Sequence, residues 1–166
     1  IEKPSGILVH PDTHSKEKTI LDIFQKKYPK LEVAHRLDRE TSGVMLLAKN
    51  KKAHEFLKKQ FQDRTIKKIY VAIVNGSVKN DRGIINKPIG RSPVDFRRHS
   101  ASRGARGEMR EAITEYKVIQ RFTLSAPSLR REGKFTFLEV RPKTGRTHQI
   151  RVHMKYLNYP VVGDAL

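Results

Sequence analysis

The densest concentration of chemically useful side chains is His35-Arg36-Leu37-Asp38-Arg39-Glu40-Thr41-Ser42-Gly43, where one carboxylate stands between two guanidinium groups just before a glycine turn. Opposite charge on both sides favours the ionised carboxylate, so Asp38 suits a nucleophile or an electrostatic stabiliser better than a general acid. The same pattern also describes a structural salt bridge or a turn aspartate, and bare spacing leaves both open. A phenol, Tyr70, lies near the start of the run Ile69 to Val74, and Arg141 to Met154 holds Arg146, His148, Arg151 and His153. A zinc site is not expected. His148 and His153 are five residues apart, not the ~4 that places two imidazoles on one helix face, and HExxH is absent; contacts to a bound partner or to neighbouring site residues suit His35, His148 and His153 better. Thr144-Gly145-Arg146 looks like half of a phosphate loop but lacks its spacing and its lysine, so nucleotide hydrolysis has no support.

These residues need elements to position them. Pro4-Ser5-Gly6 is a turn signal, and Ile7-Leu8-Val9 after it predicts a short strand. Ile20, Leu21, Ile23 and Phe24 predict a helix stopped by Pro29. Val44 to Ala48 predicts a buried strand, and Asn50 is the expected N-cap of a helix from Lys51 to Phe61. That helix would bury Ala53, Phe56, Leu57 and Phe61 and show Lys51, Glu55, Lys58 and Lys59. Strands are expected at Ile69 to Val74, Ala112 to Phe122 and Phe135 to Val140. A last helix, Thr147 to Leu157, would bury Ile150, Met154 and Leu157 and turn His148, Arg151 and Lys155 outward. Arg97 to Gly107, with four arginines among Ser, Ala and Gly, is expected to be an exposed, mobile loop. Strands outnumber helices without βαβ alternation, which predicts an α+β fold with a largely antiparallel sheet flanked by helices and loops.

The charge balance narrows the partner. Thirty-five Lys and Arg against seventeen Asp and Glu give a net charge of +18 over 166 residues, a field that attracts polyanions, so nucleic acid is the expected partner. No apolar run approaches the ~18 residues that cross a bilayer, and no membrane partner is expected. The chain has no cysteine, which excludes disulfides and thiolate metal sites, and a cytoplasmic location is the simplest expectation. At this length and 37% apolar content, one soluble domain over residues 1–166 is expected, with a monomer as the default.

Four ordered segments carry a resemblance. HRLDRETSGVMLLAKN (residues 35–50) resembles the signature of the RluA family of pseudouridine synthases, whose nucleophilic aspartate lies in HRLDxxTSG. Lys68 to Gly76 resembles that family's strand with the active-site tyrosine, Arg141 to Met154 continued by Tyr159 to Asp164 resembles its third motif, and Lys3 to Pro11 resembles its opening loop. Two departures accompany the match. The Gly-Asp pair is normally followed by Tyr-Gly and further strands, and a lead-in strand normally precedes Lys3; the catalytic domain is therefore expected to be truncated at both ends, and no S4-like RNA-binding module is expected in this chain.

The resemblance implies an isomerase that converts a specific uridine of ribosomal or transfer RNA to pseudouridine after flipping the base out of its stack. It implies that Asp38 acts at the ribose or base, that Arg151 holds its carboxylate, and that Tyr70 packs on the uracil and takes part in removing the C5 proton. Arg36 would fill the gap in the stack or hold a phosphate. Arg39, Arg146, His148 and the loop arginines Arg97, Arg98, Arg103 and Arg106 are the remaining expected RNA contacts. No cofactor is expected, because the reaction has no redox change and transfers no group to another molecule. The competing reading is a noncatalytic RNA-binding or ribosome-associated protein using the same charge; a nuclease or a base-removing glycosylase is a third.

Overall fold

The computed structural model describes residues 1–11, 17–93, 99–101, 104–125 and 133–164. They form two compact units, Ile1–Ile66 and Lys67–Leu166.

The first unit uses short strands and two helices. β1 (Glu2–Lys3) and, further along, β3 (Gly43–Val44) pair antiparallel; β2 (Glu32–Val33) pairs antiparallel with β4 (Leu47–Ala48). The expected continuous strand from Val44 to Ala48 is therefore two, with different partners. The chain turns over between them, so that Met45 is fully buried while Val44 and Leu46 are exposed. Ile7 to Val9 forms no strand either. Its carbonyls serve a helix instead, Leu8 O accepting from Ile20 N (2.9 Å) and Val9 O from Leu21 N (3.1 Å). That helix, α1 (Ile20–Gln25), begins with a reciprocal cap in which Thr19 Oγ1 accepts from Asp22 N and the Asp22 carboxylate accepts from Thr19 N. The bonds that the Asp22 carboxylate accepts from Thr19 N (2.9 Å) and Thr19 Oγ1 (2.7 Å) hold it below its usual range.

α2 (Lys51–Gln62) starts where expected, with Asn50 Oδ1 accepting from Ala53 N at 2.9 Å. Its inward stripe is narrower than predicted. Ala53, Leu57 and Phe61, at i, i+4 and i+8, are half-buried, whereas Phe56 is 67% exposed. His54 fastens the helix to β2 through Glu32 (3.0 Å).

The second unit centres on the antiparallel sheet β5-β11-β10-β6, with β5 Tyr70–Asn75, β6 Arg82–Asn86, β10 Ile113–Leu124 and β11 Gly133–Pro142. A smaller antiparallel sheet has the order β8-β7-β9, with β7 Ile89–Arg91, β8 His99–Ser100 and β9 Arg106–Arg110. The described end of the predicted Arg-rich loop is thus a strand: Arg106 is paired with Arg91, because alternate backbone groups of β7 are available to it on that edge. Arg97, Arg98 and Arg103 lie outside the described residues.

Alternating β-branched and aromatic positions bury one face of the larger sheet, with Val74, Ile85, Tyr116, Leu138 and Val140 joining Val78 and Met154 in the core. Gly83 on β6 is required there: a Cβ would stand 2.6 Å from the Tyr116 ring. The last helix, α3 (Gln149–Tyr156), packs Ile150, Met154 and Leu157 on this core as predicted. It also buries Gln149, Val152 and His153, because a second contact, to Ile89 and Ala112, takes the neighbouring face. The outward polar stripe is correspondingly thin, and His148 precedes the helix in a left-handed conformation (φ 54°). No described helix is long and apolar enough to cross a membrane.

Candidate active site

In the first unit Asp38 opens a tight turn, its carbonyl accepting from Thr41 N at 3.1 Å. The turn is anchored from the N-terminal segment. Gly6 N donates to Arg39 O (2.9 Å), Arg39 Nε donates back to Gly6 O (3.1 Å), and Ser5 Oγ donates to Glu40 O (2.9 Å). Gly6 has φ +88°, a conformation that L side chains rarely adopt.

Lys3 completes the arrangement. Its side chain is fully buried, and Nζ donates to Pro4 O (2.8 Å) and Arg39 O (3.0 Å). Desolvation lowers its pKa, and the negative fields of Glu40 and Asp38 oppose that shift. A buried ammonium thus holds the backbone of the Asp38 turn and shares its electrostatics. Lys3 was legible only as part of an opening loop, since a lysine beside Pro-Ser-Gly ordinarily signals a solvated turn.

Asp38 itself is half-buried and Arg36 is exposed. The guanidinium of Arg39 meets Glu17 (3.0 Å) and Glu40 (3.6 Å), so this arginine braces the turn as well as adding positive charge. His35 is held in place too. Nε2 accepts from Leu46 N (2.9 Å), and the ring stacks on Phe61 at 4.5 Å.

In the second unit Tyr70 begins β5 opposite Val140 of β11, half-buried against the core. Arg151 lies on α3 and is clamped by Asp164, with Nε to Oδ2 at 2.9 Å and Nη2 to Oδ1 at 2.5 Å. The Asp164 side chain is only 6% exposed, and a fork of two charge-assisted bonds fixes the plane of the guanidinium.

Beneath Arg151 a buried polar chain fixes the start of its helix. Gln149 Oε1 accepts from Thr144 Oγ1 (2.7 Å) and Arg146 N (3.0 Å), while Nε2 donates to Ile113 O (3.0 Å) and Thr114 Oγ1 (2.9 Å). His153 continues it, with Nδ1 2.8 Å from Thr114 Oγ1 and Nε2 2.9 Å from Lys87 O. A carbonyl only accepts, so Nε2 carries the proton, and the neutral ring accepts the Thr114 hydroxyl at Nδ1. Burial pushes the His153 pKa down, against the raising effect of its bond to Lys87. Every polar atom of Gln149 and His153 is therefore satisfied in one direction of donation. His153 has no exposed surface and bonds to Thr114 and Lys87, so of its two expected roles the structure shows contacts to neighbouring residues. Gln149 is a positioning residue that the sequence did not single out, because a lone glutamine in a basic run gives no signal until its four partners are placed around it.

Arg146 orders the same turn, its Nε donating to Glu111 O at 2.9 Å. Arg106 lies exposed on β9. Arg146 also lines a cavity of about 340 Å³, together with Arg91, His99, Glu108 and Arg110. A larger one, about 450 Å³, lies around Gly83, Tyr116 and Glu139, and among the described residues none of the predicted site residues lines it; the smaller holds Arg146. Among the described residues no group of three or more His, Asp or Glu side chains is arranged to hold a metal ion.

Comparison with known proteins gives a consistent result. A family profile described as RNA pseudouridylate synthase matches residues 1–156. A protein of Aquifex aeolicus called an uncharacterized RNA pseudouridine synthase is 40% identical over 173 residues, covering 99% of this chain and 51% of that protein. The ribosomal large subunit pseudouridine synthase D of Borreliella burgdorferi is 37% identical over 175 residues, covering 99% and 50%. The solved structure of human RNA pseudouridylate synthase domain containing 1 superposes with a TM-score of 0.76 at 27% identity, over 95% of this chain and 67% of that one. The chain spans about half the length of the curated relatives it matches.

Proposed function

This chain belongs to the RNA pseudouridylate synthase family, and from that premise we propose that it isomerises a uridine of RNA to pseudouridine with Asp38 as the nucleophile. The observation that most supports the reading is the continuity of the family match through residues 1–156, which takes in the Asp38 turn, Tyr70 and Arg151 in order. The relatives called ribosomal large subunit pseudouridine synthase D favour ribosomal RNA as the substrate, with the cytoplasm as the place of action. We read residues 1–166 as catalytic-domain sequence.

In the reaction the C1′–N1 bond of the nucleotide breaks, the uracil turns, and C1′ bonds to C5. The C5 proton leaves and N1 gains one, so atoms balance within the base and no cofactor takes part. The uridine must first leave its stack at a cost of a few kcal/mol, which phosphate contacts and stacking offset. Asp38 acts at the ribose or base from a turn stiffened by Lys3, Gly6 and Arg39. Arg151, set by Asp164 and by the Gln149 chain, steadies the carboxylate. Tyr70 packs against the uracil and takes part in removal of the C5 proton. Arg36 holds a phosphate or fills the vacated stack, with Arg39, Arg146, His148 and the arginines at 97, 98, 103 and 106 as further RNA contacts.

The test is tritium release from RNA labelled at C5 of uridine, with the whole protein. Wild type is expected to release tritium from intact strands, whereas Asp38→Ala releases none and keeps its RNA affinity within a few-fold. Release by the variant refutes the mechanism, and cleaved or abasic strands point to a nuclease or glycosylase.

A further inference from the structure

The 340 Å³ groove of the second unit has a composition that catalysis does not explain. Three separate segments bring a guanidinium to it: Arg91 from β7, Arg110 from β9 and Arg146 from the turn before α3. Among the described residues only one carboxylate, Glu108, lines it. Three positive charges less one negative leave an excess of two among these residues, before any proton on His99. Gathering like charges in a concavity is unfavourable unless an anion is taken up there.

The arginines are arranged unequally. Arg110 is held by Glu108, with Nε and Nη2 both on Oε2 at 3.1 and 2.8 Å. Arg146 commits Nε to the Glu111 carbonyl, which sets the plane of its guanidinium and leaves both Nη groups without a partner among the described residues. A planar fork of paired N–H groups fits a tetrahedral anion with several acceptor oxygens, a phosphodiester above all.

We propose that this groove is a phosphodiester subsite for the RNA strand, in which Arg91, Arg110 and Arg146 hold the backbone and Glu108 occupies Arg110 until the strand displaces it. The proposal rests on the reading of the chain as an RNA-modifying enzyme and adds to it a place where the strand is gripped apart from the flipped base. Glu108 is its distinctive element. A carboxylate paired with a phosphate-binding arginine competes with the phosphate, so its neutralisation should tighten binding.

The experiment measures binding of a fluorescently labelled oligouridylate to the whole protein across a salt series. It compares wild type with Arg91→Gln/Arg110→Gln and with Glu108→Gln. All three side chains are exposed, and unchanged unfolding midpoints check that the variants fold. The double variant is expected to bind at least about tenfold more weakly at low salt. Its salt slope should fall by about 1.4, at ~0.7 for each phosphate of a single strand that is no longer neutralised. Glu108→Gln is expected to bind several-fold more tightly. If wild type binds but the double variant matches it in affinity and slope, the subsite is overturned and the RNA reading stands. If wild type does not bind, the RNA reading falls and the subsite with it. Inorganic phosphate, titrated by calorimetry, separates the sources of the anion. Phosphate binding abolished in the double variant while oligouridylate binding is kept would mark a small-anion site and overturn the assignment to RNA.

Discussion

Replacing Gln149 by Leu tests whether a single buried amide sets the position of Arg151, two residues further along α3. Gln149 is 4% exposed and makes four hydrogen bonds, each contributing about 0.5–1.5 kcal/mol. Two losses are cushioned: Ile113 O keeps Lys143 N, and Thr114 Oγ1 keeps His153. The other two leave Arg146 N and the Thr144 hydroxyl proton without an acceptor in a buried setting, at about 1–3 kcal/mol each. Leu is close in volume and returns part of this by apolar burial, so the net destabilisation should be about 2–4 kcal/mol. Urea unfolding measures it directly. Combined with Thr144→Val, the effect should be less than additive by about 0.5–3 kcal/mol, since both changes remove the same bond. In the tritium assay kcat should fall while RNA affinity stays near that of wild type, because the Gln149 side chain is buried and its polar atoms are all bonded within the protein. A stability loss under about 1 kcal/mol, or strict additivity with Thr144→Val, refutes the claim that this amide organises the helix start.

Two further outcomes follow from the buried titratable groups Lys3 and His153. Lys3→Met leaves Pro4 O without its donor, at roughly 1–3 kcal/mol, while Arg39 O keeps Gly6 N; the unfolding midpoint should drop and tritium release should fall with RNA binding retained, whereas unchanged turnover would separate Lys3 from the Asp38 turn. His153 titrates below its ordinary value of 6.5, so the unfolded chain takes up a proton that the folded chain refuses. Its contribution is present above about pH 6.5 and is lost as pH falls toward the folded pKa, with a slope of at most about 1.4 kcal/mol per pH unit. Urea midpoints of wild type and His153→Gln between about pH 7 and pH 5 isolate it; parallel pH dependence in the two proteins would sink the argument.

The long periodic elements were readable from sequence because each is decided locally. Asn50 caps α2, and the β-branched runs become β5, β10 and β11 nearly where expected. Short apolar runs were not readable. Ile7 to Val9 has strand composition, yet it seats α1, a choice made by tertiary hydrogen bonds. Phe56 matched the inward face by angle and lies outside, because the stripe a helix buries depends on the width of what it packs against. For the candidate site, the cluster around Asp38 and the basic run before Arg151 stood out by residue type. Lys3, Gln149 and Asp164 act by position, and their partners lie 36, 35 and 13 residues away, distances at which sequence pattern carries no information.

The strand order β5-β11-β10-β6 also has a kinetic side. β10 and β11 follow one another in the chain and pair along nearly their whole length, so their zippering closes a short loop, whereas the flanking strands come from 70–75 and 82–86 and close longer ones. The hairpin is accordingly the template on which the second unit assembles. α3 can dock only after Ile113 and Thr114 are in place to receive Gln149 and His153. The helix that carries Arg151 therefore docks on strands already in place, and its buried Val152, His153 and Met154 tie its opening to the loss of that core.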